Sequence, residues 1–327
     1  MVDLKHPEEL FVNLYELNRP VIRMNLSIVI VNWNTCELLA QCLDSIFAHP
    51  PGGDFEVWVV DNDSQDGSRE MVQDRFPMVH LVANGENPGF ARANNQALRR
   101  ACGKYILLLN PDTLVTPGAL ERLVRFMEEN PEAGGAGPRL LNPDLTLQES
   151  CYPRPTLFSE FWRMFHLESI RHQGTYPMDQ WSLEEDREVD VLKGACMIVR
   201  CDVLNQVGFL DEDYYIYSEE VDLCYRMQQA GWRLYWVPQA QVIHFGGQST
   251  QQVAQEMFLR LYQGKILYFR KNYGRFAVLI YKLILYMASF WRVLLTPLAF
   301  FEEPSQRRKH LNLSMNYRRL IGALPDF

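Results

Sequence analysis

The 327-residue chain contains no Gly-x-Gly-x-x-Gly after its first apolar run, no Gly-x-x-x-x-Gly-Lys-Ser/Thr and no His-Glu-x-x-His. These absences exclude the usual dinucleotide fingerprint, the phosphate-cradling P-loop and the zinc-protease helix. Its seven cysteines form no Cys-x-x-Cys pair and no zinc spacing; Cys36, Cys42, Cys102, Cys196 and Cys224 sit in apolar runs, as small core residues of a reducing compartment do. Asn62-Asp63-Ser64 and Asn312-Leu313-Ser314 match the glycosylation sequon, but no secretory signal pattern precedes them and both are read as chance matches. There is no internal repeat and no low-complexity tract. No charge-free run approaches the ~20 residues that span a bilayer. The most apolar stretch, Phe276 to Phe301, is interrupted by Lys282 and Arg292 and broken by Pro297.

With 47% hydrophobic and 22% charged residues, the chain has the composition of a globular protein with a full core. The net charge of -8 divides unevenly: Arg260 to Phe327 holds twelve Lys/Arg against three Asp/Glu, or +9, leaving -17 for residues 1–259. A basic tail on an acidic body points to an anionic partner for the tail. Nucleic acid is disfavoured, because no reading motif accompanies the charge. Arg275, Lys282 and Ser289 recur every seven residues with Arg292 nearby, a polar stripe on an apolar helix that would lie in a membrane interface. Arg307-Arg308-Lys309 and Arg318-Arg319 would add attraction to anionic lipid. The alternative is packing of this helix on the rest of the chain or on a second copy, as a homodimer.

Four apolar runs, Ser27–Val31, Glu56–Val60, His80–Val82 and Lys104–Leu109, alternate with helical segments at 35–48, 66–75, 89–101 and 117–130. Such alternation predicts an α/β fold whose parallel sheet is covered on both faces, with ligands at the carboxyl ends of the strands. The strand ends are polar: Asn32-Trp33-Asn34, Asp61-Asn62-Asp63-Ser64, Asn84 to Gly89 and Asn110-Pro111-Asp112-Thr113. Farther on, Val189 to Arg200 reads as one strand, Glu219 to Ala230 as a helix, and Leu234–Val237 and Gln241–His244 as short strands divided by Pro238. Residues 142–188 read as an insertion, with an aromatic helix from Leu157 to Phe165.

Asp211 to Arg226 gathers six carboxylates and four tyrosines. Carboxylates crowded among aromatic rings gain proton affinity, which suits a general base. The plain reading is capping, with Ser218 as N-cap and Glu219, Glu220 and Asp222 facing the helix dipole. Asp61 could accept from a pyrimidine N3–H or a ribose hydroxyl, or only form a turn. Asp112 could hold a hard cation through oxygen, or cap the helix near Pro117.

Taken in order, Ser27–Asn34, Asp61–Ser64, Asn87-Pro88-Gly89-Phe90-Ala91-Arg92-Ala93-Asn94-Asn95, Leu109–Thr113, Lys193-Gly194-Ala195-Cys196-Met197, Gly208–Glu212 and Glu219–Cys224 resemble family 2 glycosyltransferases, most closely a rhamnosyltransferase-like branch. The resemblance implies a GT-A fold, a Rossmann-like nucleotide-diphospho-sugar transferase architecture with a mostly parallel central sheet. It also implies a nucleotide-sugar donor, Mg²⁺ or Mn²⁺, and inversion at the anomeric carbon. On it, Asn32, Asn34, Asp61, Asn62, Asn87, Gly89, Asn94, Asn110 and Asp112 would line the donor site. Asp112 and His244 would hold the metal, the first acid of the family's Asp-x-Asp being Asn110 here. Glu220 or Glu219 would be the base, and Lys193, Gly194, Ala195 and Asp222 would face the acceptor, with Asp222 orienting Glu219. The expected division is an extension over 1–25, a catalytic domain over 26–258 and a basic helical region over 259–327. The expected activity is transfer of a sugar, rhamnose from dTDP-rhamnose, to a lipid-linked or growing cell-surface glycan on the cytoplasmic face of a membrane. UDP-galactose or UDP-N-acetylglucosamine as donor, or a silent nucleotide-sugar-binding protein, are the alternatives.

Overall fold

The computed structural model describes residues 24–170, 173–297 and 303–327. The expected extension over residues 1–25 therefore lies almost wholly outside the described residues, as does the end of the Phe276–Phe301 run. In chain order the strands are β1 Met24–Asn32, β2 Phe55–Asp61, β3 His80–Ala83, β4 Gly103–Leu109, β5 Thr113–Val115, β6 Ala133–Leu141, β7 Leu147–Gln148, β8 Cys151–Tyr152, β9 Arg187–Val189, β10 Val191–Leu192, β11 Cys196–Arg200 and β12 Arg233–His244. The helices are α1 Cys36–Ala48, α2 Ser68–Arg75, α3 Phe90–Leu98, α4 Ala119–Glu129, α5 Leu157–Met164, α6 Cys201–Val207, α7 Glu219–Gln229, α8 Gln248–Gln251, α9 Ala254–Leu294 and α10 Pro304–Ala323.

The main sheet runs β3-β2-β1-β4-β11-β6-β12-β5, with β7 and β9 attached to β6 and β12. The pairs β3·β2, β2·β1, β1·β4 and β6·β12 are parallel, while β11 is antiparallel to both of its neighbours. Alternation along β1 explains the two-sided core. Leu26, Ile28 and Ile30 join α1, α2 and α4 on one face, and Val29 and Val31 join α3, α6, α7 and the C-terminal helices on the other.

Several elements depart from the sequence expectation. Val189–Arg200 falls on three short strands, because the chain bends at Asp190 and again at Lys193-Gly194-Ala195. Leu234–Val237 and Gln241–His244 are one strand, β12, which passes Pro238 with a register shift against β6. Strand β6 has the glycine-rich sequence AGGAGPRLL and carried no strand signal, yet it is central and buried. Its glycines admit neighbours: a Cβ at Gly134 would stand 2.7 Å from Trp232 Cβ, and one at Gly137 3.0 Å from Leu192 Cδ2.

The end of the C-terminal polar stripe faces the body, opposite to the expectation, while Arg275 stays exposed and Lys282 is half-buried. The backbone at Gly274 (φ 85°, ψ 179°) breaks α9, and its second half lies on the body through Tyr281, Leu285 and Ala288. Ser289 is fully buried, and Arg292 donates to Met164 O. Most outward side chains are apolar: Phe276, Leu279, Leu283, Phe290, Trp291 and Leu294. Periodicity identified two faces; the small and aromatic residues decided which one docks.

The first half of α9 presses on the segment before α7. A Cβ at Gly264 would meet the Tyr217 carbonyl oxygen at 2.4 Å. Backbone cannot yield as a side-chain tip can. We therefore expect Gly264→Ala to destabilise the fold by about 1–3 kcal/mol. A thermal midpoint that does not fall would contradict this packing.

Candidate functional site

The carboxyl ends of β1, β2 and β4 converge as the parallel sheet requires. At the first end, Asn32 Nδ2 donates to Asp61 Oδ2 (3.0 Å) and Ser64 Oγ (3.1 Å). Asp61 Oδ1 accepts from Arg69 Nε at 2.6 Å and from the Ser64 amide at 3.0 Å. Burial alone would raise its pKa, but hydrogen bonds from Ser64, Arg69 and Asn32 hold it below the usual carboxylate range. Asp61 is 1% exposed, so it organises the loop from beneath. Its neighbour Asn62 is also buried but faces a cavity: Asn62 Nδ2 donates to Asn87 Oδ1 at 3.2 Å, and both line a space of about 330 Å³ with Gly89, Asn110 and Asp112. Trp33 forms another wall, a residue that sequence reading quoted without assigning a role. Asn34 stands at φ 51° and accepts from the Gln65 amide at 2.8 Å. Asn94 spends its amide on Phe90 O within α3, at 2.9 Å, and is buried. Gly89, at φ 92°, is needed where α3 begins, since a Cβ would lie 2.6 Å from Tyr215 O.

Asp112 meets His244 because β5 pairs with β12 in a register that sets Thr113 opposite His244, and the Phe245 amide donates to Asp112 O at 2.9 Å. Asp112 Oδ1 and His244 Nε2 are 3.4 Å apart, and both side chains are buried. Gln148 sets the tautomer. Its Nε2 donates to His244 O (3.0 Å), which turns Oε1 toward His244 Nδ1 (2.6 Å) and Lys193 Nζ (3.1 Å). With Nδ1 as donor, Nε2 keeps its lone pair and has no protein hydrogen-bond partner. An orphaned buried imidazole nitrogen beside a carboxylate fits a divalent cation that keeps waters and phosphate oxygens as its other ligands. Among the described residues no group of three or more His, Cys, Asp or Glu side chains could hold a metal without such help.

The bend at Lys193-Gly194-Ala195 brings α7 to the same place. The Asn110 amide donates to Ala195 O at 2.9 Å, and Gly194 packs against Glu220, with a built Cβ 3.5 Å from Glu220 Cβ. Lys193 is pulled below its usual pKa by burial, partly offset by Glu149, Asp112 and Glu220. Tyr152 OH donates to Glu220 Oε1 at 3.0 Å, and Glu220 Oε2 has no partner. Nothing in the local pattern around Gln148 or Tyr152 marked either residue. Ser218 does occupy the N-cap position, but in a left-handed conformation (φ 73°) and without a side-chain cap bond. Tyr217 precedes it at φ 70°, so two non-glycine residues hold a strained backbone before the carboxylates.

Asp222 does not orient Glu219. It accepts from Arg226 Nε (2.7 Å), one helical turn away, and from Asn272 Nδ2 of α9 (3.1 Å). Glu219 and Glu220 both have raised pKa values, through burial in each case, and for Glu219 also through the charge of Glu220. One oxygen of each is buried and unpartnered, but Tyr152 donates to the other oxygen of Glu220. Glu219 therefore has the stronger tendency to hold a proton. A group whose folded pKa is raised binds more protons in the folded state, so its contribution to stability is full below the ordinary Glu value and is lost as pH rises through the folded value. We expect Glu219→Gln, which removes that loss, to raise the thermal midpoint at pH 8 by a few degrees and to leave it little changed at pH 4.5. A midpoint at pH 8 at or below wild type would contradict the raised proton affinity of Glu219.

A model of glycosyl transferase family 2 matches residues 27–181, and one of glycosyl transferase family group 2 matches residues 105–305. The chain is 31% identical over 214 residues to an N-acetylglucosaminyl-diphospho-decaprenol L-rhamnosyltransferase of Mycobacterium tuberculosis, covering 59% of this chain and 67% of that one. It is 29% identical over 164 residues to the rhamnosyltransferase WbbL of Escherichia coli, covering 48% and 61%. In three dimensions it is similar to the mannosyltransferase PcManGT of Pyrobaculum calidifontis, solved with GDP-Man and Mn²⁺, at TM-score 0.55 and 18% identity over 96% of this chain and 92% of that one. It is also similar to GalNAc-T7, solved with UDP, GalNAc and Mn²⁺, at TM-score 0.53 and 16% identity over 68% and 44%. With sheet, strand-end loops and family models in agreement, the chain belongs to glycosyl transferase family 2 and has the GT-A fold.

Proposed function

We propose that the chain is an inverting transferase that moves a sugar, rhamnose from dTDP-rhamnose, onto a lipid-linked or growing cell-surface glycan. The observation that carries this reading is the placement of one buried, Tyr152-steadied carboxylate, Glu220, beside the bend that also touches the Asn110–Asp112 strand end. The rhamnosyl donor and the lipid-diphosphate acceptor are supported by the names of the relatives.

The nucleotide would lie over Trp33, Asn62 and Asn87, with its diphosphate toward Asp112 and His244. Those two residues would hold Mg²⁺ or Mn²⁺ against the diphosphate, and the ion, when bound, supplies Lewis-acid neutralisation of charge on the leaving group. The chain's own residues do the rest. Glu220 takes the proton of the acceptor hydroxyl as that oxygen forms its bond to the anomeric carbon. The bond from that carbon to the diphosphate oxygen breaks, and its electron pair leaves with the nucleoside diphosphate. Attack from the opposite face inverts the configuration. A raised pKa matches the base to the hydroxyl better than an ordinary glutamate would. It also implies that activity falls on acidification at a pH where ordinary glutamates are still ionised.

The outward apolar row of α9 and the exposed Arg308, Lys309, Arg318 and Arg319 of α10 would seat the enzyme on an anionic membrane at the cytoplasmic face. By length and composition α9 could cross a bilayer, but Gly274 breaks it and its inner face is packed, which favours lying in the interface.

Glu220→Gln is expected to lower transfer by about 10²- to 10⁴-fold while dTDP still raises the thermal midpoint. Near-normal turnover would remove Glu220 from the role, and a larger response to UDP or GDP than to dTDP would replace the donor. For the membrane, flotation with anionic vesicles is expected for the wild type and lost in a Leu279→Glu, Leu283→Glu, Phe290→Glu variant. If wild type stays in solution the interfacial seat is wrong, and a dimer that the same variant splits would assign the row to a second copy.

A further inference from the structure

Another cavity, of about 290 Å³, is lined by Glu220 and shares no lining residue with the one at the strand ends. The segment before α7 divides the two: Tyr215 and Ile216 line the first, Tyr217 and Ser218 the second. The change of side falls at the left-handed backbone of Tyr217 and Ser218. The opposite wall comes from α5, within the 142–188 insertion, and from the first half of α9. Glu220 thus faces a space separate from the donor cavity.

Charge does not select an anion there. Three carboxylates of the lining, Glu149, Glu160 and Glu220, stand against two cations, Arg163 and Lys265. Both cations are engaged already: Arg163 Nη2 at 2.7 Å and Lys265 Nζ at 2.8 Å donate to Glu160, which also accepts from Tyr281 OH at 3.0 Å. Adding Lys193, whose Nζ is 3.5 Å from Glu149 O, brings the signs only to three against three. Hydrogen-bonding capacity, by contrast, is left on both sides. Glu220 Oε2 is a buried acceptor without a partner, and Arg163 Nε is a buried donor without one. Such atoms call for a ligand or a water. A hydroxyl serves both kinds, because it donates to the carboxylate and accepts from the guanidinium; a phosphate or carboxylate only accepts, and an ammonium only donates. Several hydroxyls in one small space describe a sugar ring. Tyr152, Tyr217 and Phe269 add flat apolar faces for its C–H edges, and the volume is at the lower end of small-molecule sites.

We propose that this cavity seats the sugar ring of the acceptor as a neutral polyol, with one hydroxyl presented to Glu220 and any phosphate of the acceptor kept outside the lining. This rests on the transferase reading and adds to it the side from which the acceptor enters and the charge that its ring must not carry. Glu149, exposed at the lining, turns an acidic sugar away, while the engaged cations hold Glu160 in place and offer their remaining N–H groups to hydroxyl oxygens.

The test uses methyl N-acetylglucosaminide and the same glycoside oxidised to the uronate at C6, which differ by one carboxylate on an equal ring. Saturation-transfer NMR titrations with the full chain, in the presence of dTDP and Mn²⁺, measure binding without turnover. The neutral glycoside is expected to bind, and the uronate to bind at least about fivefold more weakly. Leu261→Trp, which enlarges a side chain of the lining, is expected to abolish glycoside binding while dTDP raises the thermal midpoint as in wild type. Glu149→Gln is expected to narrow the gap between the two glycosides, since it removes one carboxylate from the lining. The proposal is overturned by a neutral glycoside that does not bind, by a uronate that binds as well or better, or by a Leu261→Trp protein that binds the glycoside as wild type does. The dTDP response of the same samples keeps the two readings apart: its loss in wild type removes the donor assignment, whereas loss of the glycosides alone removes the acceptor site.

Discussion

One backbone hydrogen bond, from the Asn110 amide to the Ala195 carbonyl, fixes the geometry on which the site depends. It is formed where β4 ends and β11 begins, and β11 is the one strand among the central members that runs against the rest. That reversal places the entry to β11, rather than its exit, at the carboxyl edge of the parallel strands. The bend at Lys193-Gly194-Ala195 thereby reaches the edge where Asp112 lies, and Gly194 packs beside Glu220. A sheet of parallel strands alone would have supplied a nucleotide cleft with nothing opposite it.

Electrostatics follow from this packing. Asp61 is buried among donors and stays ionised below the usual range, whereas Glu219 and Glu220 are buried with few donors and are driven the other way. Carboxylates at the same sheet edge thus have opposite tendencies, set by hydrogen bonds more than by depth. The strained Tyr217–Ser218 pair and the close approach of Gly264 belong to the same economy of space, since they let α9 close over the start of α7.

The first four strands and helices were legible because each strand is an apolar run ended by polar residues and each helix has its own period. Strand β6 was not, because its glycines are selected by Trp232 and Leu192 crossing over it, a tertiary demand with no local signature. The strand-end residues Asn62, Asn87, Asn110 and Asp112 line one cavity, while Asp61 and Asn94 are held beneath the surface by bonds to neighbours. Asp222 was misplaced for a simple reason: helical spacing put it near Glu219, but Arg226 and Asn272 offered it better partners. Gln148 and Tyr152 act only through a fold that brings the insertion back to β12 and α7, and no spacing within 147–152 could have announced them.

The central claim is direct displacement at the anomeric carbon by an acceptor oxygen deprotonated at Glu220. It is tested most directly by the anomeric configuration of the freshly formed product, read from the one-bond carbon–hydrogen coupling at that carbon and compared with that of the donor. The account predicts inversion; a product that retains the donor's configuration would contradict it.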